Sequence, residues 1–168
     1  MICERAPRET PLKKIKKKPR KKAGELALQT LPAMDFNKEL DLIHIPAVFS
    51  GNTEEEYEQL EEEVKLYGMY LVRGTLENLA EIDALISKYS LNRPLERIDL
   101  VDRNILRMSV FCLLYGDIHP HIIIDEAVKL SQDFSTEVNY KFINGILDTM
   151  QKQLCVVKEH TRHDTVED

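Results

Sequence analysis

The amino-acid sequence predicts an all-helical fold, and two observations carry that reading. Apolar residues recur at spacings of three and four over most of the chain, and no stretch alternates apolar with polar residues as a half-buried strand would. Glycines and prolines fall between segments of helical length rather than strand length. The 168 residues, 43% of them hydrophobic, suffice for one ordinary domain or two small helical bundles packed together.

Residues 1–19 lack apolar periodicity and carry Pro7, Pro11 and Pro19, so a flexible basic arm is expected there. A first helix is expected from Arg20, with Ala23, Leu26, Ala27, Thr30 and Leu31 along one face. Pro32 should end or kink it, because proline has no amide proton and clashes with the preceding turn. A short apolar segment, residues 40–48, is broken by Pro46. Thr53 with Glu56 three residues on then has the form of a capping box.

From Thr53 a long helical region places Leu60, Val64, Leu71, Thr75, Leu79, Ile82 and Ile86 at helical spacing, with candidate breaks at Gly68 and Gly74. Pro94 opens a small helix carrying Leu95 and Ile98. Asp99 is the candidate cap of the next helix, whose stripe of Val101, Ile105, Met108, Phe111 and Cys112 runs to a stop at Gly116. Pro120 opens another, with Ile123, Ile124, Ala127, Val128, Leu130 and Phe134 on its buried face. A last helix from about Thr136 uses Phe142, Ile143, Ile146, Leu147 and Met150. The expected organisation is an amino-terminal subdomain over about 20–92, a carboxy-terminal one over about 93–154, and a polar, fraying tail at 155–168.

Charge is segregated along this chain. Between Lys13 and Lys22 eight of ten side chains are cationic, and residues 1–22 carry a formal +8 while the other 146 carry −14, for −6 overall. A dense cationic arm on an anionic body points to a polyanionic partner met by the arm. The bland alternative is a solubilising or localising basic tail. Cations in the first turn of a helix oppose its macrodipole, so stability alone does not favour Arg20, Lys21 and Lys22 there; phosphates would offset the cost.

Other classes find little support. No apolar run reaches about 18 residues and no secretory h-region opens the chain, so a cytoplasmic protein with no membrane association is expected. Cys3, Cys112 and Cys155 match no metal or redox spacing and read as free thiols. His119 and His121, like His160 and His163, lack the Cys or carboxylate company of a zinc site, so no metal and no cofactor is expected. With no nucleophile elbow, phosphate-binding glycine loop or dinucleotide fingerprint, the chain reads as a non-enzyme. The seven glutamates between Glu54 and Glu63 read as a solvated helix face, with a partner site or a contact to the arm as the alternative. Gly145 lies inside a helical pattern at a cost of about 1 kcal/mol against alanine, which close packing would explain and approach of a ligand would explain otherwise.

Three stretches, taken together, go further. Val101-Asp102-Arg103-Asn104-Ile105-Leu106-Arg107-Met108, then Ile124-Asp125-Glu126-Ala127-Val128-Lys129-Leu130, then Lys141-Phe142-Ile143-Asn144-Gly145-Ile146-Leu147-Asp148 resemble the NusB family of bacterial transcription antitermination factors in order and spacing. Lys22-Ala23, Glu25, Ala27-Leu28-Gln29, Leu31 and Asp35-Phe36 are similar to the family's first helix, so the resemblance spans about residues 20–150. It implies two small helical bundles without catalytic activity. The implied role is binding the single-stranded boxA element of ribosomal RNA leader transcripts with NusE, a small-subunit ribosomal protein, within a complex that keeps RNA polymerase reading through terminators.

By that resemblance the RNA-binding candidates are Arg20, Lys21, Lys22 and Gln29, preceded by Lys16, Lys17 and Lys18 of the arm and joined by Lys141 and Phe142. Glu96, Asp102 and Arg107 fall where the family meets NusE or ties its subdomains together. Gly24, Pro32 and Val138 stand where the family often has an arginine, an aromatic and a polar residue, so specific RNA contacts should be fewer. An interaction or ribosome-assembly adaptor with weak non-specific RNA binding is therefore the alternative, and a detached accessory domain of a ribosomal RNA cytosine methyltransferase a third. No residue decides between monomer and homodimer.

Overall fold

In the computed structural model, which describes residues 15–163 and side chains through Leu154, those residues form seven α-helices and two short 3-10 turns, with no strand. The helices are α1 (Lys17–Phe36), α2 (Glu54–Glu58), α3 (Glu62–Glu77), α4 (Leu79–Tyr89), α5 (Leu100–Tyr115), α6 (Pro120–Phe134) and α7 (Asn139–His163); the 3-10 turns are Leu42–His44 and Leu95–Arg97. The all-helical expectation holds. None of the described helices is long and apolar enough to cross a membrane.

Helix α5 is the hub, packing against α1, α3, α4, α6 and α7. Its stripe makes this possible: Ile105, Leu106, Val110 and Phe111 are buried, and with Leu26 and Leu31 of α1, Ile82 and Ile86 of α4, and Ile143, Leu147 and Met150 of α7 they form one continuous core. Burying each such side chain contributes roughly 1.5–3 kcal/mol against leaving it in water.

Several boundaries differ from expectation for identifiable reasons. Helix α1 begins at Lys17 rather than Arg20, absorbing Lys17, Lys18 and Pro19 into its first turn, where proline's missing amide proton costs nothing. It then runs through Pro32 to Phe36, because Leu31, Pro32 and Met34 are all buried and tertiary packing outweighs the lost hydrogen bond. The end is set by a Schellman arrangement: Lys38 takes φ 59°, its amide donates to Asp35 O at 3.0 Å, and the Glu39 amide donates to Met34 O at 2.8 Å.

Thr53 and Glu56 do form the capping box, with Glu56 N donating to Thr53 Oγ1 at 3.1 Å and Thr53 N to Glu56 Oε2 at 2.8 Å. The helix it starts is only five residues long, and Gln59 to Glu61 separate it from α3. Gly68 and Gly74 are not breaks. Both lie inside α3, where an added Cβ would strike the Phe49 ring at Gly68 and the Phe111 ring at Gly74. The break falls at Asn78, whose side-chain amide donates to Gly74 O at 2.8 Å.

Asp99 precedes α5 without capping it, because its carboxylate accepts from Asn139 Nδ2 at 2.7 Å instead. Phe134, expected on the buried face of α6, is 47% exposed. Helix α7 starts at Asn139, and its backbone stays helical to His163, past the expected fraying point. The arm's residues 1–14 and the end of the tail, 164–168, lie outside the described residues.

Candidate nucleic-acid interface

The first turn of α1 presents cations, and the nearest acidic residue on the same helix is Glu25, one turn beyond Lys21. Lys16 is the N-cap residue and makes no capping bond, and no acidic residue occupies the first turn. Lys16, Lys17, Lys18, Lys21 and Lys22 are all exposed. The cluster meets water at the end of the helix whose free amides favour anions.

Arg20 departs from its neighbours. Its Nε lies 2.6 Å from Glu126 Oε1 on α6, its Nη1 donates to Ile15 O at 3.2 Å, and its side chain is only 10% exposed. Arg20 therefore ties α1 to α6 and folds the preceding backbone over buried Ile15. Beside it a shallow cleft of mixed charge runs between α1 and α6, where Lys17, Lys21 and Lys129 share the lining with Glu126, Asp133, Gly24 and Leu130. A Cβ at Gly24 would stand 4.0 Å from Leu130 Cδ1, so this position has room for a side chain that the chain does not supply. Gln29 is exposed on the same helix, with its Oε1 facing the turn at Gly51. Pro32 is buried, so an aromatic there would not stand on this chain's surface.

A second group gathers at α7. Lys141 is exposed and Phe142 half-buried, and with Gly145 and Ile146 they line a groove closed on its other side by Tyr89, Ser90, Leu91, Asn92 and Arg93. The Arg93 guanidinium carbon lies 4.4 Å from the centroid of the Phe142 ring, a cation–π contact that stiffens both side chains. Leu91 at the rim is 86% exposed. Sequence reasoning missed Tyr89 and Arg93, because Tyr89 is the last residue of α4 and Arg93 lies in the turn after it, where no periodic pattern marks either. The two cationic groups belong to different helices: α1 packs on α3 and α5, while α7 packs on α6, α5 and α4. Helix α6, held to α1 by the Arg20–Glu126 pair, joins them.

Of the partner candidates, Glu96 alone is exposed, on the Leu95–Arg97 turn. Asp102 and Arg107 are buried and engaged within the protein, so they hold helices together rather than offer themselves to a partner. Asp102 accepts from Ser131 Oγ at 3.1 Å, Ser135 Oγ at 2.8 Å and Asn139 Nδ2 at 2.6 Å, which fixes the α6–α7 turn just ahead of Lys141. Arg107 bonds Asp83 with Nε at 2.8 Å and Nη2 at 3.1 Å, and Asp35 with Nη1 at 2.9 Å.

Burial pushes the Cys112 thiol up to about 12, so at neutral pH it is a packed, protonated thiol. The His119 and His121 rings stack 5.2 Å apart, and among the described residues no three His, Cys, Asp or Glu side chains could hold a metal ion together.

The model of the NusB family matches residues 21–152, most of the chain. The chain belongs to the NusB family. It is 35% identical over 139 residues to the transcription antitermination protein NusB of Thermodesulfovibrio yellowstonii, covering 80% of this chain and 92% of that one. To the NusB of Desulforamulus reducens it is 40% identical over 129 residues, covering 76% and 86%. Among solved structures it is similar to T. maritima NusB, at 34% identity and a TM-score of 0.68 over 80% of this chain and 91% of that one. It shares its fold with a NusB solved with NusE and double-stranded RNA, at 24% identity and a TM-score of 0.64 over 82% and 99%. The exposed lysines of α1 and the groove at Phe142 hold most of the residues that the sequence offered as RNA-binding candidates, and Val138, just ahead of α7, is 68% exposed.

Proposed function

We propose that this protein is a non-catalytic, RNA-binding transcription antitermination factor acting in the cytoplasm. It binds the single-stranded boxA element of ribosomal RNA leader transcripts together with NusE and promotes read-through by RNA polymerase. The observation that carries this reading is the set of five exposed lysines around the first turns of α1, on a protein whose residues beyond Lys22 carry a net charge of −14. Membership of a family whose relatives are named transcription antitermination proteins supports it.

In this reading the lysines supply phosphate affinity, Gln29 and Phe142 meet bases, and Glu96 lies on the NusE side. A positive patch gives attraction without sequence preference, so discrimination comes from the base contacts and from the NusE heterodimer. If all five lysines neutralise a phosphate, log affinity should fall with log salt at a slope of about −3.5. The deciding experiment compares boxA RNA with a scrambled sequence, each with and without NusE. Preference for boxA in the presence of NusE is expected, and equal binding would sink the claim of specificity.

The alternative of an adaptor with weak non-specific RNA binding is favoured by one observation: Arg20 is committed to Glu126, which removes one cation from the interface. Copurification with NusE that survives loss of residues 1–22, without measurable RNA affinity, would decide for it.

A further inference from the structure

Gly145 is a helix-interior glycine that the fold does not need. Gly68 and Gly74 exclude any side chain because Phe49 and Phe111 occupy the space a Cβ would take, but a Cβ on Gly145 would meet nothing within 4 Å. The only described glycine with positive φ is Gly51, so Gly145 has no left-handed backbone to accommodate. Its position is exposed, on a helix where alanine would be the more stable residue. The packing explanation offered by the sequence therefore fails.

What surrounds Gly145 suggests its use. It forms part of the wall of the groove that also holds Lys141, Phe142, Tyr89 and Arg93. That lining contains two cations and two aromatic rings and no carboxylate, on a protein of net charge −6. Cations beside aromatic faces suit a nucleotide strand, with phosphates to Lys141 and Arg93 and bases against the rings, better than they suit a protein surface. A strand seated there would pass over α7 one turn beyond Lys141, where a bare backbone lets it lie closest.

We propose that Gly145 is a clearance position: the missing side chain lets the sugar-phosphate backbone of single-stranded RNA lie directly against α7 in the groove between Arg93 and Lys141. The proposal rests on the RNA-binding reading above and adds to it a residue kept for ligand approach at the expense of helix stability. Stability and affinity must then respond to substitution in opposite directions, which a merely structural glycine would not produce.

The test uses the full chain, with thermal unfolding and titration of a fluorescently labelled single-stranded boxA RNA on wild type, Gly145→Ala and Gly145→Leu. Gly145→Ala should raise the Tm by about 2–4 °C while weakening RNA binding roughly fivefold. Gly145→Leu, reaching further into the groove, should weaken binding more. Unchanged affinity in both variants, or a fall in Tm for Gly145→Ala, overturns the proposal. So does a loss of NusE binding at unchanged RNA affinity, which would assign the groove to a protein. A Lys21→Gln/Lys22→Gln variant in the same titration separates the two claims. Binding that is weakened there yet unmoved by Gly145→Leu refutes the clearance role alone, whereas a wild type without RNA affinity refutes both.

Discussion

Arg107 and Asp35 meet inside the protein, Nη1 to Oδ2 at 2.9 Å, with the arginine side chain 6% and the aspartate side chain 12% exposed. The same Asp35 oxygen also accepts from Arg103 Nε and from Asn104 Nδ2, each at 2.9 Å, while the other edge of Arg107 grips Asp83. One cluster thus fastens the last turn of α1 and the middle of α4 to α5. Removing the arginine would leave the part-buried Asp35 and Asp83 carboxylates each short of a charged donor. Arg107→Met should destabilise the fold by about 3–5 kcal/mol, read as a shift in the urea midpoint, and a change below about 1 kcal/mol would show that the cluster only decorates a core held by apolar contacts.

The same cluster makes a prediction for acid. Burial raises the Asp35 carboxyl, but hydrogen bonds from Asn104 and Arg103 and the charges of Arg107 and Arg103 outweigh it, holding the group below its ordinary value of 3.8. A carboxyl depressed on folding contributes stability that is complete above its unfolded value. That contribution is lost as pH falls through 3.8 toward the lower folded value. Asp35→Asn should therefore cost stability at pH 6 and progressively less below pH 4, so the unfolding midpoints of variant and wild type converge in acid. Parallel curves would place the acid sensitivity elsewhere.

How much of this was legible in the sequence depends on which force sets each feature. Periodicity located the helices and most of the core, because burial of Ile105, Phe111, Ile143 and Leu147 follows helical geometry directly. Capping at Thr53 was readable since the box is local. The long-range polar contacts were not: Asp99 looks like a cap until Asn139 arrives from forty residues on, and Arg20 looks like its lysine neighbours until Glu126 is placed beside it. Asp102 and Arg107 were singled out from the sequence as candidate partner or inter-subdomain contacts, and only the packing reveals that they face inward.

Aromatic packing makes a sharper test of the two buried α3 glycines. A methyl group at Gly74 would overlap the Phe111 ring, which itself packs on Tyr70 at 5.2 Å between centroids and on Tyr115 at 5.9 Å, so the ring has little freedom to retreat. Gly74→Ala should destabilise by about 1–3 kcal/mol despite alanine's better helix propensity. Combining it with Phe111→Leu should recover part of the loss. A stabilised Gly74→Ala would mean that the ring relocates freely and that this glycine is as unconstrained by the fold as Gly145.

The difference between Arg20 and the lysines beside it can be read from salt dependence. Arg20 is spent on Glu126, so Arg20→Gln should lower stability by about 1–2 kcal/mol by leaving a carboxylate without its charged donor. The slope of log affinity for single-stranded RNA against log salt should stay where it was. Lys21 and Lys22 are exposed and hold no partner that would be orphaned, so neutralising both should leave stability within about 0.5 kcal/mol. That variant should flatten the slope by about 1.4, one ion-release contribution for each lysine. Glu126→Gln adds a third arm: with its partner neutral, Arg20 becomes free to meet a phosphate, and the slope should steepen by about 0.7. A slope that falls with Arg20→Gln and ignores Lys21 and Lys22 would reverse the assignment and make the ion pair with Glu126 a resting contact that RNA displaces.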